Sequence, residues 1–169
     1  MSKGRQARMR PDTRAGHDVV LDLDRYVPAL ITFIANKLSR IANSHYQREF
    51  GVNVTEWRIL SLLAVEPNIS AARICHVIGF DKGPVSRTLS AMEAMGLITI
   101  ARDPDDARSH SIAMTAKGWK VHDGVIAVAL ERERRLLGCL TAAERDTLIT
   151  LLLRIHGNLD AVTDGAESS

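Results

Sequence analysis

The chain has 169 residues, 46% of them hydrophobic, with 22 Lys and Arg against 20 Asp and Glu for a net charge of +2. That length and apolar content suit one compact domain with its own core, built mostly from aliphatic residues and Met because only 4% are aromatic. The near-balanced charge excludes a chain held to nucleic acid by bulk charge alone, and no apolar run approaches the roughly 18 residues of a membrane span.

Residues 1–20 read as a disordered basic arm. Lys3, Arg5, Arg8, Arg10 and Arg14 stand against Asp12, with no apolar periodicity. Such an arm serves either as a solubilising tail or as a non-specific phosphate contact. It lacks the apolar stretch of a secretory signal. With only Cys75 and Cys139, in no CxxC pair, the chain fits a reduced, cytoplasmic protein.

From Asp24 to about Phe50 the spacing predicts a long helix. Val27, Leu30, Ile31, Ile34, Leu38, Ile41 and His45 fall on one stripe. Pro28 is tolerated in the first turn, and Gly51 closes the helix. Thr55 is expected to cap a second helix that stops before Pro67. Ser70 caps a third, closed by Gly79, and Asp81 a fourth, closed by Gly96.

The fourth helix divides its labour. Asp81, Lys82, Gly83, Pro84, Ser86 and Arg87 make a small, polar start. Val85, Leu89, Met92 and Met95 recur at helical spacing behind them. A wet N-terminal half and an anchored C-terminal half are what a helix-turn-helix recognition helix needs in the major groove. The break at Gly79-Phe80 is short and contains glycine, as that motif requires.

After Gly96 the period changes. Leu97–Arg102 and Ser111–Met114 read as two strands around the charged loop DPDDARSH, a hairpin wing. From Thr115 a helix of roughly 24 residues runs to Leu140, with Val121, Val125, Val128 and Leu136 apolar. Its charged stretch, Glu131 to Arg135, reads as a solvated surface. Thr141 and Glu144 form a capping box before a last helix striped by Leu148, Leu151, Leu152, Ile155 and Leu159. From Ala161 the chain reads as a frayed tail.

The fold class is therefore mainly α with a small β-hairpin wing. A winged helix-turn-helix (55–114) carries N- and C-terminal dimerisation helices (24–50 and 115–160) within one domain (21–160), flanked by the arm (1–20) and the tail (161–169). The terminal helices are too apolar on one face to stand alone in water, so pairing with a second copy is expected.

This order of elements resembles the multiple-antibiotic-resistance-regulator (MarR) family of dimeric winged-helix transcription factors, over about residues 24 to 160. VTEWRILSLLA resembles the family's second-helix entry. Ile78-Gly79 through Gly96-Leu97-Ile98, with Val85-Ser86-Arg87 and MEAMGLI, resembles its recognition-helix segment. Asp103-Pro104, Asp106 and Arg108, followed by Met114-Thr115 and Lys117-Gly118, resemble its wing signature. The resemblance implies a homodimeric DNA-binding regulator, usually a repressor released by a small molecule such as an aromatic carboxylate. It would bind a pseudo-palindromic operator in double-stranded DNA and act in the cytoplasm on the nucleoid.

Ser86 and Arg87 are the first candidates for base contacts, since a guanidinium forks to guanine O6 and N7. Lys82 suits a phosphate, and Pro84 either a thymine methyl or simply a helix start. Arg108 near the wing tip suits a minor groove. Ser70, Arg73, Arg102 and His110 are backbone-contact candidates. Gly83-Pro84 occupies a turn where the family often carries polar or basic residues, so base contacts are expected to be few. Between Gly79 and His110 four Lys/Arg face five acids. Binding must then depend on where the cations point.

His45, Tyr46 and Trp57 are candidates for holding an anionic aromatic effector, against the alternative that His45 is a satisfied helix–helix contact. Cys75 reads as a small core residue, and the six histidines form no HxxxH pair. No glycine-rich phosphate loop, metal-spaced cluster or nucleophile elbow is present, so no catalytic residue, metal or cofactor is assigned. The alternatives are a winged-helix module that binds protein, and a redox- or metal-responsive regulator.

Overall fold

The computed structural model describes residues 20–102 and 110–163. The basic arm up to Val19, the wing loop from Asp103 to Ser109 and the tail from Asp164 lie outside the described residues, and Arg108 with them. The chain forms two units, one ending at Ile41 and one beginning at Ala42, so the division falls inside the first helix.

The first unit holds the start of α1 (Val27–Phe50). The helix begins three residues later than the sequence suggests. The Asp22 carboxylate accepts the Asp24 N–H, and the Asp22 carbonyl accepts those of Arg25 and Tyr26. These bonds close a turn on Asp22 ahead of the helix. Val27, Leu30, Ile31, Phe33, Ile34 and Ile41 are all exposed in the single chain.

In the second unit α1 runs on to Phe50 and stops before Gly51, whose φ of 70° suits a residue without Cβ. The buried residues of α1 are Ala42 and Tyr46, one position on from the stripe's Ile41 and His45. The core-facing side of the helix therefore differs from its most apolar stripe.

The elements that follow are α2 (Val54–Val65), α3 (Ala71–Ile78), α4 (Lys82–Ala94), β1 (Ile98–Arg102), β2 (His110–Met114), α5 (Ala116–Leu136), α6 (Ala142–His156) and the short α7 (Asp160–Thr163). Asn53, not Thr55, caps α2. Its carboxamide accepts the N–H groups of Thr55 and Glu56, and the Glu56 carboxylate returns a bond to the Asn53 N–H at 2.7 Å. Only Asn53 has a Glu three residues on, so only it can close this reciprocal box. Glu56 is buried as a result.

Ser70 caps α3 by accepting the Arg73 N–H, and Gly79 ends it in the left-handed region. Asp81 stands at the cap position of α4, but its side chain makes no capping bond. Pro84 is the third residue of the helix and has no N–H to offer, which removes one of the two usual donors. Helix α5 is shorter than expected. It stops at Leu136, and Leu137–Cys139 tighten into a 3-10 turn before Leu140 becomes extended. Gly138 weakens the helix there. The Thr141–Glu144 capping box forms as read. A turn of helix, α7, occupies the start of the expected tail.

The core of this unit sits where α2, α3, α4, the hairpin and α5 meet. Ile59, Leu60, Ile74, Val85, Met92 and Ile112 are fully or almost fully buried there. Ile74 is the one buried residue of α3, and burying such a side chain contributes about 1.5–3 kcal/mol. The strands pair antiparallel, from Ile98 with Met114 to Arg102 with His110. Leu97 stays outside the strand because its N–H closes the end of α4 on the Met92 carbonyl. The Ile112 N–H donates to the Ile69 carbonyl at 3.0 Å, tying the hairpin to the approach of α3.

The end of α4 is locked to the start of α5. Thr115 donates its N–H to the Leu97 carbonyl, and its hydroxyl reaches the Gly96 carbonyl at 2.7 Å. The same hydroxyl accepts the Gly118 N–H, and Lys117 Nζ donates to the Met95 carbonyl at 2.6 Å. A Cβ at Gly118 would fall on the Leu97 carbonyl oxygen. Gly118→Ala is therefore expected to destabilise the fold by about 3 kcal/mol. A Cβ at Gly138 would meet nothing within 4 Å, so alanine there should be tolerated to within about 0.5 kcal/mol. Urea unfolding of the two variants measures the contrast, and equal stabilities would refute the steric account.

Candidate nucleic-acid interface

Helix α4 presents two faces. Val85, Leu89 and Met92 are buried, whereas Lys82, Gly83, Pro84, Ser86 and Arg87 are exposed. The apolar residues recur three or four apart and fix one side to the core. Lys82 with Ser86, and Gly83 with Arg87, are each four residues apart and share the outer side. Arg87 leans back along the helix: one terminal guanidinium nitrogen lies 3.7 Å from where a Cβ at Gly83 would stand. Among the described residues no carboxylate lies within ion-pair distance of Arg87 or Lys82. Among the described residues, therefore, no surface ion pair holds Arg87.

The acids of this region are partly committed elsewhere. The Glu93 carboxylate accepts the Ile100 N–H at 3.2 Å, so it braces α4 against β1. Asp81, left without a capping bond, stands beside the first N–H groups of α4. A helix start that its own cap does not satisfy favours an external anion.

The other candidate contacts are more constrained. Ser70 is half-buried and its oxygen already accepts the Arg73 N–H at 3.2 Å. Arg73 is exposed, but its Nε and one terminal nitrogen donate to the two oxygens of Glu66, each at 2.8 Å. Arg102 and His110 face one another at the loop end of the hairpin, both exposed. Beside the turn between α3 and α4 lies a shallow depression of about 290 Å³ bordered by Gly79, Phe80, Asp81 and Pro84. Arg58 holds its guanidinium 5.8 Å from the Phe80 ring centre.

The residues expected to hold an effector do come together. Tyr46 packs edge-on to His45 and to Trp57, with ring centres 6.3 and 6.1 Å apart. Three neighbours escape the sequence reading. His122 stacks on Trp57 at 5.5 Å, Trp119 meets His122 edge-on at 5.5 Å, and the Arg132 guanidinium lies 5.5 Å from the Tyr46 ring centre. The i, i+3 spacing of Trp119 and His122 is a usable sign that they share a face. Arg132 is hidden in a charged run whose other members behave as expected. Glu131 binds Arg134 and Arg135 at 2.7 and 2.6 Å on the surface. Their hydrogen bonds hold the Glu131 carboxyl down to about 2.

Tyr46 and His122 are buried, and the His122 Nδ1 lies 3.1 Å from Asp123. The cluster thus joins stacked and edge-on rings with the Arg132 guanidinium beside the Tyr46 ring, a cation–π arrangement. Cys75 packs half-buried against the core, as read, and Cys139 is exposed. Among the described residues no three His, Cys, Asp or Glu lie close enough to hold a metal ion, and no helix is long and apolar enough to cross a membrane.

Comparison with known proteins gives the same architecture a family. The model of the MarR family matches residues 50–109, from the end of α1 through the wing loop. A MarR/EmrR family transcriptional regulator from Acinetobacter sp. ADP1 is 33% identical, superposes with a TM-score of 0.78, and is matched over 83% of this chain and 99% of its own. A mutant of MarR from E. coli, solved with operator DNA, shares the fold at 22% identity and a TM-score of 0.69, over 76% of this chain and 92% of its own. The PcaV regulator from Streptomyces coelicolor, solved with its natural ligand, does so at 19% identity and 0.69, over 82% and 97%. Identity at this level along nearly the whole of the Acinetobacter regulator, on a shared fold, places the chain in the MarR family of winged-helix, DNA-binding transcriptional regulators.

Proposed function

We propose that the chain works as a homodimeric repressor that reads operator DNA with α4 and lets go when a small aromatic carboxylate binds. The observation that carries the DNA reading is the outer face of α4, where Ser86 and Arg87 stand exposed on a helix anchored from behind by Val85, Leu89 and Met92. Arg87 reads a base, Lys82 and the start of α4 meet phosphates, and Arg102, Arg108 and His110 on the wing meet the neighbouring backbone or minor groove. The solved complex of the E. coli relative with operator DNA supports looking for such contacts here.

Two copies joined by their terminal helices would set two α4 helices at a fixed separation. The exposed apolar residues of α1 support this, as do Leu151, Leu152, Ile155 and Leu159 of the C-terminal region, each of which is more than two-fifths exposed. The operator is then a pseudo-palindrome with half-sites about 10 bp apart, one helical turn. Replacing Arg87 by Ala should weaken binding by about 1–3 kcal/mol and relax the sequence preference at one position of each half-site. Gel-shift titration on a fragment selected from genomic DNA by the unaltered protein measures this. Unchanged binding by the Arg87→Ala protein would remove Arg87 from the interface.

The effector reading rests on the cluster of His45, Tyr46 and Trp57, with Arg132 supplying a positive charge beside the Tyr46 ring. That PcaV was solved with its natural ligand supports seeking one here. In a thermal-shift screen of small aromatic carboxylates, a ligand at a hundredfold its Kd should add about 2.7 kcal/mol of stability. The shift should shrink in an Arg132→Gln protein, and a screen in which no carboxylate raises the Tm would count against the site.

A further inference from the structure

Two charges sit at ends of helices that disfavour them. Glu66 caps the C-terminus of α2, where the helix dipole is negative, and Arg73 lies in the first turn of α3, where it is positive. They find each other instead across the turn between the helices. Arg73 grips both oxygens of Glu66 at 2.8 Å, and its hydrogen bonds hold the Glu66 carboxyl below its ordinary value. The pair stays at the surface, with side chains 45% and 35% exposed, so it adds little to stability.

What the pair does achieve is orientation. A guanidinium carries five N–H donors in a planar fork. Glu66 occupies two of them, on the edge formed by Nε and one terminal nitrogen. Three donors remain, on an exposed side chain of the helix that leads into α4. In a helix-turn-helix that first helix crosses the phosphate backbone.

We propose that Glu66 is a positioning residue for a DNA phosphate contact made by Arg73. The carboxylate fixes one edge of the guanidinium, and the free edge takes a phosphate oxygen. A long side chain held this way loses less freedom when the phosphate arrives. The proposal rests on the DNA-binding reading above and adds to it a residue of the wrong charge for DNA. That sign makes the test decisive. Removing an acid near DNA strengthens binding unless the acid is organising a cation.

The full chain and its Arg73→Ala, Glu66→Ala, Glu66→Gln and doubly substituted (Arg73→Ala with Glu66→Ala) variants are titrated onto a short mixed-sequence duplex over a salt series. The melting temperature of each is recorded alongside. Arg73→Ala is expected to lose roughly three- to tenfold in affinity at low salt, and its slope of log K against log salt to fall by about 0.9 per binding copy. Glu66→Ala should lose affinity and slope in the same direction with an unchanged Tm, and the double variant should match Arg73→Ala alone. Glu66→Gln, which keeps one acceptor oxygen, should fall between. If Arg73→Ala weakens binding while Glu66→Ala binds equally or more tightly, Glu66 is a bystander or a competitor and the positioning role is overturned. If Arg73→Ala binds as the unaltered chain does, the phosphate contact itself is refuted. Failure of the unaltered chain to bind the duplex at any salt would instead overturn the DNA-binding reading.

Discussion

The joint between the end of α4 and the start of α5 is the constraint on which the rest of the winged helix depends. A helix C-terminus leaves carbonyls with no intrahelical partner. Here those of Ala91, Met92 and Glu93 are closed by the N–H groups of Met95, Leu97 and Gly96, and the carbonyls of Met95, Gly96 and Leu97 that follow are taken up by Lys117 and Thr115. Thr115 does this while also capping α5, so one side chain closes one helix and opens the next. The hairpin between them leaves and returns at the same point, and its base cannot drift from the helix it flanks. Gly118 is required because the backbones pass too close for a Cβ. The wing and α4 are thereby held as one piece, which a surface that must match DNA at several points requires.

The start of α4 gives up some local stability that its other end does not. Proline at the third position removes a capping donor, Asp81 is left without its bond, and glycine at the second position favours no helix. The helix tolerates this because its other side is buried through Val85, Leu89 and Met92. The same two residues leave the outer surface low, and the Arg87 guanidinium lies over Gly83. Local rules are broken where the helix must meet something else, and are obeyed where it meets its own core.

Much of this is legible in sequence because caps and breakers act locally. Ser70, Gly79, Gly96 and the Thr141–Glu144 box mark element ends within a residue or two. The α2 start is easily misplaced at Thr55 although the Asn53–Glu56 spacing is present, since two nearby polar residues offer themselves and only the reciprocal bond separates them. Other features need the third dimension. Arg73 pairs with Glu66 seven residues away across a turn, where no single helix carries both to suggest it. His122 and Trp119 come from a helix some sixty residues beyond Trp57 in the chain, a proximity created only by packing. Periodicity places Ile41 and His45 on one face of α1 but does not say which face the core takes, and the core takes Ala42 and Tyr46.

The terminal helices make the same distinction sharper. No residue of α6 is buried in the single chain, although its Leu and Ile content is that of a core helix. A helix of 15 residues is marginal by itself in water, and its capping box typically adds only about 1 kcal/mol. What would stabilise it is the burial of its apolar face, which on the proposed reading a second copy supplies. Folding of α6 and association would then be one equilibrium, with a stability that depends on protein concentration. The spacing of the two α4 helices would follow from the same contact. An effector bound at the rings of Tyr46 and Trp57 would act where α1, α2 and α5 approach one another, on the elements that link that contact to the DNA-reading face. To change DNA affinity it need only favour one separation of the two copies over another, by the difference in its own affinity for the two.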